Sequence, residues 1–504
     1  MKKQLTPISI TKAISTVFSE WFKGNTWRPW IAFLSALFAL PMSDTDAELF
    51  KKHTGRTVLQ PKPAREGWLV VGRRGGKSLI SALVAVFLAC FKDYRQYLAP
   101  GETATIMILA ADRKQARVIM RYVDGFLKNL PMLSALVVNQ TQESIELSNR
   151  VCIEIHTASF RSTRGYTLAA CICDEIAFWR SDESANPDSE IIAALRPGLA
   201  TIPGALLLCI SSPYARRGAL WDAYRRHFGK DGDPVLVWQA STLDMNPSID
   251  PAIIEQAYED DPSAAAAEYG AEFRTDIESY ISHEAIQAVV IPGRRELASV
   301  GYFRYRAFVD PSGGSADSFT LAIAHDEKII EFKGEDFLYQ YRQDAEKLNR
   351  IKDQVRSEYR GRVVLDCIRE VRPPFSPEAT VREFADLLRT YHISGVTGDR
   401  YAGEWPREQF RKYGISYTVS DKTKSEIYQE LLPLINSQRV ELLEDKRLIS
   451  QLSTLERHTS RGGRDSIDHA PGSHDDLINA AAGALVTAGT RGNGASESYL
   501  RYEM

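Results

Sequence analysis

Residues 67–89, GWLVVGRRGGKSLISALVAVFLA, decide the fold of this chain. Four apolar residues, 68–71, run into a loop of three glycines and two arginines, and Lys77 and Ser78 then open a long apolar stretch. The pattern predicts a strand, a phosphate-binding loop and a helix. Gly72, Gly75 and Gly76 allow a turn whose backbone N–H groups aim at phosphate oxygens. Lys77 supplies a point charge and Ser78 a hydroxyl for Mg²⁺, at the positive end of the helix that follows. Arg73 and Arg74 lie inside the loop, where either can place charge on a transferring phosphoryl group. The spacing departs from the usual one: the position five residues before the last glycine is Val71, and Gly72 comes one step late. The competing reading, a Gly-rich turn that ends in GKS by chance, is opposed by the strand and helix on either side.

The chain has 504 residues, too many for one ordinary core, so two or three domains are expected. Hydrophobic residues make up 44% and charged residues 25%, a globular balance. The net charge of −3 argues against wholesale electrostatic coating of nucleic acid; if the chain handles DNA, the positive charge has to be concentrated locally or by assembly. Cys90, Cys152, Cys171, Cys173, Cys209 and Cys367 are scattered through apolar runs and read as small core residues in a reducing compartment. The longest early apolar run, 30–42, is too short to span a bilayer, and no signal peptide is visible. A cytoplasmic protein without membrane partners is expected.

Upstream of the loop, residues 1–66 read as a helical lead-in. Trp27, Trp30, Phe33, Leu37 and Phe38 recur at helical spacing, a packing face. Gln60, or an aromatic near it, is a candidate for approaching the adenine, because this element directly precedes the phosphate-loop strand.

Downstream, strands are expected at 103–110, 151–155, 168–173 and 205–210, with a helix over 112–130. Strands separated by helices imply a parallel sheet with ligand groups at the strands' carboxyl ends. Two strand ends carry chemistry. LAACICDE ends in Asp174 and Glu175, and adjacent acids on a buried strand are costly unless they face a cation or a water-filled cleft. Asp174 fits the Mg²⁺ that bridges nucleotide phosphates, and Glu175 fits polarisation of the attacking water. A plain helix-start signal is the alternative. LLLCISSP leaves the sheet at Ser211, Ser212 and Pro213, either a γ-phosphate sensor or a simple turn. Arg161 and Arg164 are further candidates for acting on the phosphoryl group, in cis or on a neighbour. The cluster of Arg216, Arg217, Arg225, Arg226, His227 and Lys230, in a stretch read as helical and polar over 214–300, is a candidate phosphate-gripping surface or a solvated face.

GRRGGKS, ADRKQAR at 111–117, TRGYTLAACICDE at 163–175 and SSP at 211–213 together resemble the large terminase subunits of tailed bacteriophages, phage- or prophage-encoded. The resemblance covers roughly nine tenths of the chain, and the late glycine is common in that family's phosphate loop. It implies an ATP-driven motor that translocates double-stranded DNA into a procapsid, with ATP and Mg²⁺ as cofactors. It also implies a small terminase subunit and the procapsid portal as partners, and a homo-oligomeric ring when assembled.

The second half begins a new pattern at about residue 301. FRYRAFVDPSGGSADSFTLAIAHDEKIIEF reads as three strands, the first ending at Asp310. A charged helix over 340–359, a strand over 361–366, a helix over 380–391 and a strand ending at Asp399 follow. HAPGSHDDLINAAAGALVTAG places Asp475 and Asp476 in the first turn of an Ala-rich helix. Acids at three such ends are what two-metal phosphodiester hydrolysis needs, with ions about 3.5–4 Å apart held by carboxylates. The element order resembles the RNase H-like nuclease domain that terminases carry. By that resemblance Asp310, Asp399 and Asp476, with Asp475 beside it, hold Mg²⁺ or Mn²⁺ and cut DNA. Asp366 competes as the second ligand, and His474 either stands behind the ligands or caps the helix. Pro433 weakens the helical reading from Lys424 onward. The basic loop 461–464 is a candidate for lying along the cleaved strand, with a solvated loop as the alternative. The tail from 490 reads as mobile, with portal docking as the family expectation.

The expected architecture is therefore α/β throughout: a P-loop NTPase with a parallel sheet covered by helices (67–245), a helical connection (246–300), an RNase H-like nuclease domain (301–488) and a tail (489–504). Two other functions stay open. One is a helicase-like DNA translocase whose second domain only binds DNA; the other is a non-enzymatic assembly subunit of a decayed prophage.

Overall fold

The apolar run before the phosphate loop forms β1 (Glu66–Val71), and the helix Lys77–Phe91 follows at once. In the computed structural model the described residues are 8–158, 165–179, 187–301, 303–315, 317–329, 360–399, 405–459, 465–470, 473–489 and 500–501. They divide into two compact units, and the chain passes from the first to the second after Ile277. Residues 8–66 and 246–277 both fall in the first unit.

The first unit is built on β1, β2 (Ala104–Ala110), β3 (Val137–Gln140), β4 (Ser144–Leu147), β5 (Val151–Thr157), β6 (Thr167–Asp174), β7 (Leu206–Ser211) and β8 (Val235–Ala240), in the order β3-β4-β5-β2-β6-β7-β1-β8. From β5 to β8 all neighbours are parallel; β3, β4 and β5 form an antiparallel edge. The parallel strands are buried on both faces, which is why β2 and β6 read as near-continuous apolar runs. The lead-in packs as its aromatic spacing requires: Trp30 and Phe33 of the helix Arg28–Leu37 share one core with Leu83 and Phe87 of the phosphate-loop helix. Two expectations are corrected here. The stretch 214–300 is not helical throughout, since VLVWQA forms β8 beside β1, its apolar side chains closing the sheet. The edge hairpin β3–β4 makes the sheet mixed.

The chain enters the second unit through β9 (Ile277–Ser279) and β10 (Val290–Ile291), then forms β11 (Arg306–Asp310), β12 (Phe319–Ile329), β13 (Arg360–Val371), β14 (Gly395–Gly398), β15 (Ser416–Val419) and β16 (Val440–Leu443). Their order is β10-β16-β13-β12-β11-β14-β15. Counted from β11, the central strands stand 3-2-1-4-5, with β12 antiparallel to β11 and β13, and β14 and β15 parallel to β11. That is the RNase H-like arrangement. The helix Asp476–Gly489 lies across it, and alanines along its length let it approach closely; a Cβ on Gly483 would stand 2.3 Å from the Phe308 ring. Two strands, not three, occupy the described part of residues 303–332, because β12 runs unbroken through His325 and Asp326. The helix Lys424–Asn436 continues through Pro433, started by a capping box between Thr423 and Glu426. β17 (Leu455–Thr459) and β18 (Asp465–His469) form a hairpin, and β19 (Leu500–Arg501) pairs with Lys328 and Ile329. The expected helix over 340–359, Arg161, Arg164, the loop 461–464 and the rest of the tail lie outside the described residues.

Candidate phosphate-loop and carboxylate sites

β7 lies between β1 and β6, and this order brings the three motifs of the first unit together. Lys77 is buried, and its Nζ donates to Val71 O (2.9 Å), Gly72 O (3.2 Å) and Ser212 Oγ (2.8 Å). Glu175 follows β6 with a left-handed φ of +49°, and its Oε1 stands 3.6 Å from Lys77 Nζ. Glu175 Oε2 accepts from Ser211 Oγ (3.1 Å) and Ser212 N (3.2 Å). The serine pair thus touches both the loop lysine and the acid. Asp174 is buried beside them, and burial, with the adjacent Glu175 charge, pushes its carboxyl up to about 7 against the pull of Lys77. Burial holds Lys77 below its usual range, opposed by Glu175 and Asp174.

The loop itself is locked from outside. Gly72 N donates to Ala240 O (3.1 Å), Arg73 N to Glu268 O (2.5 Å) and Thr242 Oγ1 to Arg73 O (2.7 Å), while Asn246 Nδ2 donates to Arg74 O (2.9 Å). The backbone N–H groups of Arg74, Gly76, Lys77 and Ser78 have no partner among the described residues, so these are the ones able to receive phosphate oxygens. Gly76 has φ +95°, which suits glycine. Gly72 has a different reason: a Cβ there would stand 2.3 Å from Thr242 Oγ1 and 2.6 Å from Tyr269 O. Gly72→Ala is expected to lower stability by about 1–3 kcal/mol through overpacking and to weaken nucleotide binding, read by thermal melts and ATP titration. Arg73 and Arg74 are exposed, and Arg73 pairs with Glu268 (2.8 Å). Ser78 is half-buried on the first helical turn. A buried cation at a helix start, a neighbouring hydroxyl and a facing acid pair fit a nucleoside triphosphate with Mg²⁺.

Gln60 is placed elsewhere. Arg56 Nη1 donates to Gln60 Oε1 (3.3 Å) and its Nη2 to Val235 O, at the amino end of β8, whereas the phosphate loop leaves the sheet at the carboxyl end beside Ala240. The aromatic rings against the loop are Trp30, whose Nε1 donates to Gly75 O (2.8 Å), and Trp27. The basic cluster sits on and beside the helix Gly218–His227. Arg225 there pairs with Asp222 and His227 with Asp233, and Arg216 lies over the Trp221 ring.

In the second unit Asp310 ends β11, Asp399 follows β14 on the neighbouring parallel strand, and Asp476 opens the helix laid across them. All three line one cleft of about 580 Å³ together with Asp475 and Asn479. Asn479 Nδ2 donates to Asp310 Oδ2 (2.7 Å) and to Asp399 Oδ2 (3.0 Å). Asp476 Oδ2 accepts from Ser318 N (3.1 Å). Burial, with the facing Asp399, Asp476 and Asp475, pushes the Asp310 carboxyl up to about 8, although Asn479 opposes the shift; burial also raises Asp476. Asp475 faces a different set of donors: its Oδ2 accepts from Tyr428 OH (3.0 Å) and pairs with Lys424 Nζ (2.9 Å), which also reaches Asp468 (2.8 Å). Asp468, His469 and Asp475 bring ligand atoms within 4.8 Å of one another, with the Lys424 ammonium already bound to both acids. His474 is exposed, 3.9 Å from Asp317. An excess of carboxylate oxygens, a buried acid whose pKa is raised by burial and its acidic neighbours, and the unpartnered buried Oδ1 of Asn479 all fit divalent cations.

Asp366 is not part of this cluster. It is the extra residue of a bulge, since Ile323 pairs with Cys367 and Ala324 with Leu365, and it is buried against His325 Nδ1 (2.7 Å). His325 Nε2 meets Glu327 (3.1 Å), and Phe303 lies over the imidazole. Burial opposes a charge on His325, yet the two carboxylates hold its pKa up at about 9. A raised histidine contributes stability that is complete below its unfolded value of 6.5 and is lost as pH rises through about 9. His325→Gln is therefore expected to cost on the order of 2 kcal/mol more at pH 6 than at pH 9.5, measured by chemical denaturation.

Asn479 and Lys424 line the cleft and Tyr428 donates to its Asp475, and none of the three was read from the sequence; the signal for Asn479 was a lone amide one turn after Asp476, followed by apolar residues up to Val486. No family model matches the chain, and no curated protein matches it. Among solved structures, it is similar to the large terminase of bacteriophage HK97, with 15% identity over 92% of this chain and 100% of that one and a TM-score of 0.37. The large terminase nuclease of the thermophilic phage G20c matches with 15% identity over 41% of this chain and 96% of that one, TM-score 0.30. A mutant ATPase domain of the Thermus phage P74-26 large terminase matches with 20% identity over 46% and 98%, TM-score 0.34. These scores are low, and the fold rests on the strand order and loop geometry given above. No helix of the described residues is long and apolar enough to cross a membrane.

Proposed function

We propose that this chain is the large subunit of a bacteriophage DNA-packaging terminase: an ATPase that translocates double-stranded DNA into a procapsid and a two-metal endonuclease that cuts the concatemer. One observation carries the reading. Three acids, from two strand ends of an RNase H-like sheet and from the helix laid across it, line one cleft, in a chain whose other unit sets a phosphate loop opposite the buried Asp174 and the half-buried Glu175. The motifs that resemble terminases supply the rest, namely a small subunit, a portal and a ring as partners and the host cytoplasm as the place of action.

In the first unit Lys77 meets the phosphates, with Ser78 and Asp174 as the groups that would hold Mg²⁺. Glu175, fixed by Ser211 and Ser212, orients and polarises the attacking water. Loss of the γ-phosphate frees Lys77 to return to Ser212, which passes the change to the segment after β7. In the second unit Asp310, Asp399 and Asp476 would hold divalent cations. Such ions activate water and stabilise the leaving oxygen when bound. Asp475, tied to Lys424 and Tyr428, shapes the cleft wall and adds negative charge beside the ligands.

The test is made on one purified chain, with ATP hydrolysis and cleavage of supercoiled plasmid in Mn²⁺ measured side by side. Both activities are expected. Robust hydrolysis without cutting would replace this reading with a translocase that only binds DNA, and absence of nucleotide binding would point to a structural subunit.

A further inference from the structure

We propose that Asn479 is a positioning residue of the nuclease cleft, whose amide nitrogen bridges Asp310 and Asp399 and sets their separation before divalent cations arrive. The inference rests on the nuclease reading and deepens it. Asn479 is 1% exposed, so its amide has to find partners inside the unit. The atoms it faces at 2.7 and 3.0 Å are carboxylate oxygens of two neighbouring parallel strands. An amide group turns its N–H₂ toward such acceptors, and its two hydrogens serve one carboxylate each. Oδ1 is thereby left buried and without a partner, on a residue that lines the cleft. An orphaned buried acceptor costs stability, so packing alone does not account for an amide in a helix otherwise made of Leu, Ile, Ala and Gly around it. Bridging does account for it. Two acids this close resist ionising together without a cation, and a neutral donor shared between them keeps both pointed into the cleft without competing for the place of a metal as a lysine would.

The position on the helix reinforces this. Asp476 and Asn479 are three residues apart and share one face, so a single rigid element supplies a ligand and the group that aligns the two strand ligands. With cations held by Asp310, Asp399 and Asp476, the orphaned oxygen would be free to serve as an outer acceptor, the kind of contact that tunes metal affinity.

The experiment measures Mn²⁺ binding to the full chain, by electron paramagnetic resonance and calorimetry, for wild type, Asp310→Asn, Asn479→Leu and Asn479→Ser. The Asp310-dependent component is expected to weaken by about ten- to a hundredfold in both Asn479 variants. Leucine keeps the volume, and serine guards against a leucine variant that fails to fold. A merely structural asparagine would move the metal-free melting temperature and leave this affinity unchanged; wild-type affinity in either folded variant overturns the proposal. If Asp310→Asn loses binding while the Asn479 variants keep it, only the role of Asn479 falls. If no Mn²⁺ binding depends on Asp310, the nuclease reading falls with it.

Discussion

Lys77→Ala is expected to lower ATP hydrolysis by about 10²–10³-fold while leaving Mn²⁺-dependent plasmid cutting within about twofold. The size of the first effect follows from where the charge sits. Phosphoryl transfer offers the protein little covalent chemistry, so rate comes from charge held close to the transferring group in a site that excludes water. Lys77 is the buried cation of the loop, and the facing acids Asp174 and Glu175 make the site more negative once it is gone. Alanine also strands the Val71 and Gly72 carbonyls and Ser212 Oγ, so the loop loses three hydrogen bonds along with the charge. The variant is thus expected to bind ATP more weakly as well as turn it over more slowly. The second effect follows from construction: every residue lining the carboxylate cleft belongs to the second unit. Steady-state hydrolysis and plasmid cleavage on the same preparation check both halves. Equal loss of the two activities would mean that the cleft depends on the nucleotide site.

How much of this was legible beforehand depended on how local the physics is. The phosphate loop was readable because a strand, three glycines, Lys77 and a helix start are consecutive, and each residue type has its own reason. The end of β6 was readable because two acids after six buried residues need a partner. β8 was not, since VLVWQA lies in a polar, arginine-rich stretch and only its pairing with β1 shows that the sheet needs another strand. Gln60 looked close to the loop because it is close in sequence, and the sheet separates them by the length of β8. In the second unit the sequence offered Asp310, Asp399 and Asp476 as a set only through a family resemblance, since nothing local says that acids so far apart in the chain meet in one cleft. Asp366 failed as a candidate for a reason no spacing reveals: a bulge turns it onto His325. Asn479 was hidden by its apolar helix, where an amide reads as an accident until its two carboxylate partners are seen.

Asp310→Asn is expected to reduce Mn²⁺-dependent cutting by more than about 100-fold, since losing a direct ligand should exceed the 10–100-fold cost of losing an outer partner. The same substitution has a second consequence of opposite sign, which separates a metal site from a structural acid. Burial and the facing carboxylates hold the Asp310 carboxyl at about 8, above its unfolded value of 3.8. A carboxyl raised on folding binds its proton more tightly in the native state, so the metal-free protein loses stability as pH rises from about 4 to about 8. Asparagine has no such titration and keeps an oxygen that can accept from Asn479. Without metal the variant is therefore expected to be more stable than wild type at pH 8, by on the order of 2 kcal/mol once solvent in the cleft is allowed for, and about equal near pH 4. Saturating Mn²⁺ should reverse the order, because a ligand that binds only the native wild type stabilises it by mass action. Thermal melts at pH 5 and pH 8, each with and without Mn²⁺, read this as a crossing of the two proteins' melting temperatures. If Asp310→Asn is less stable under all four conditions, Asp310 is holding the fold together and not waiting for a cation. In that case Asn479 and Asp399 would be its structural partners and the cleft would need another reading.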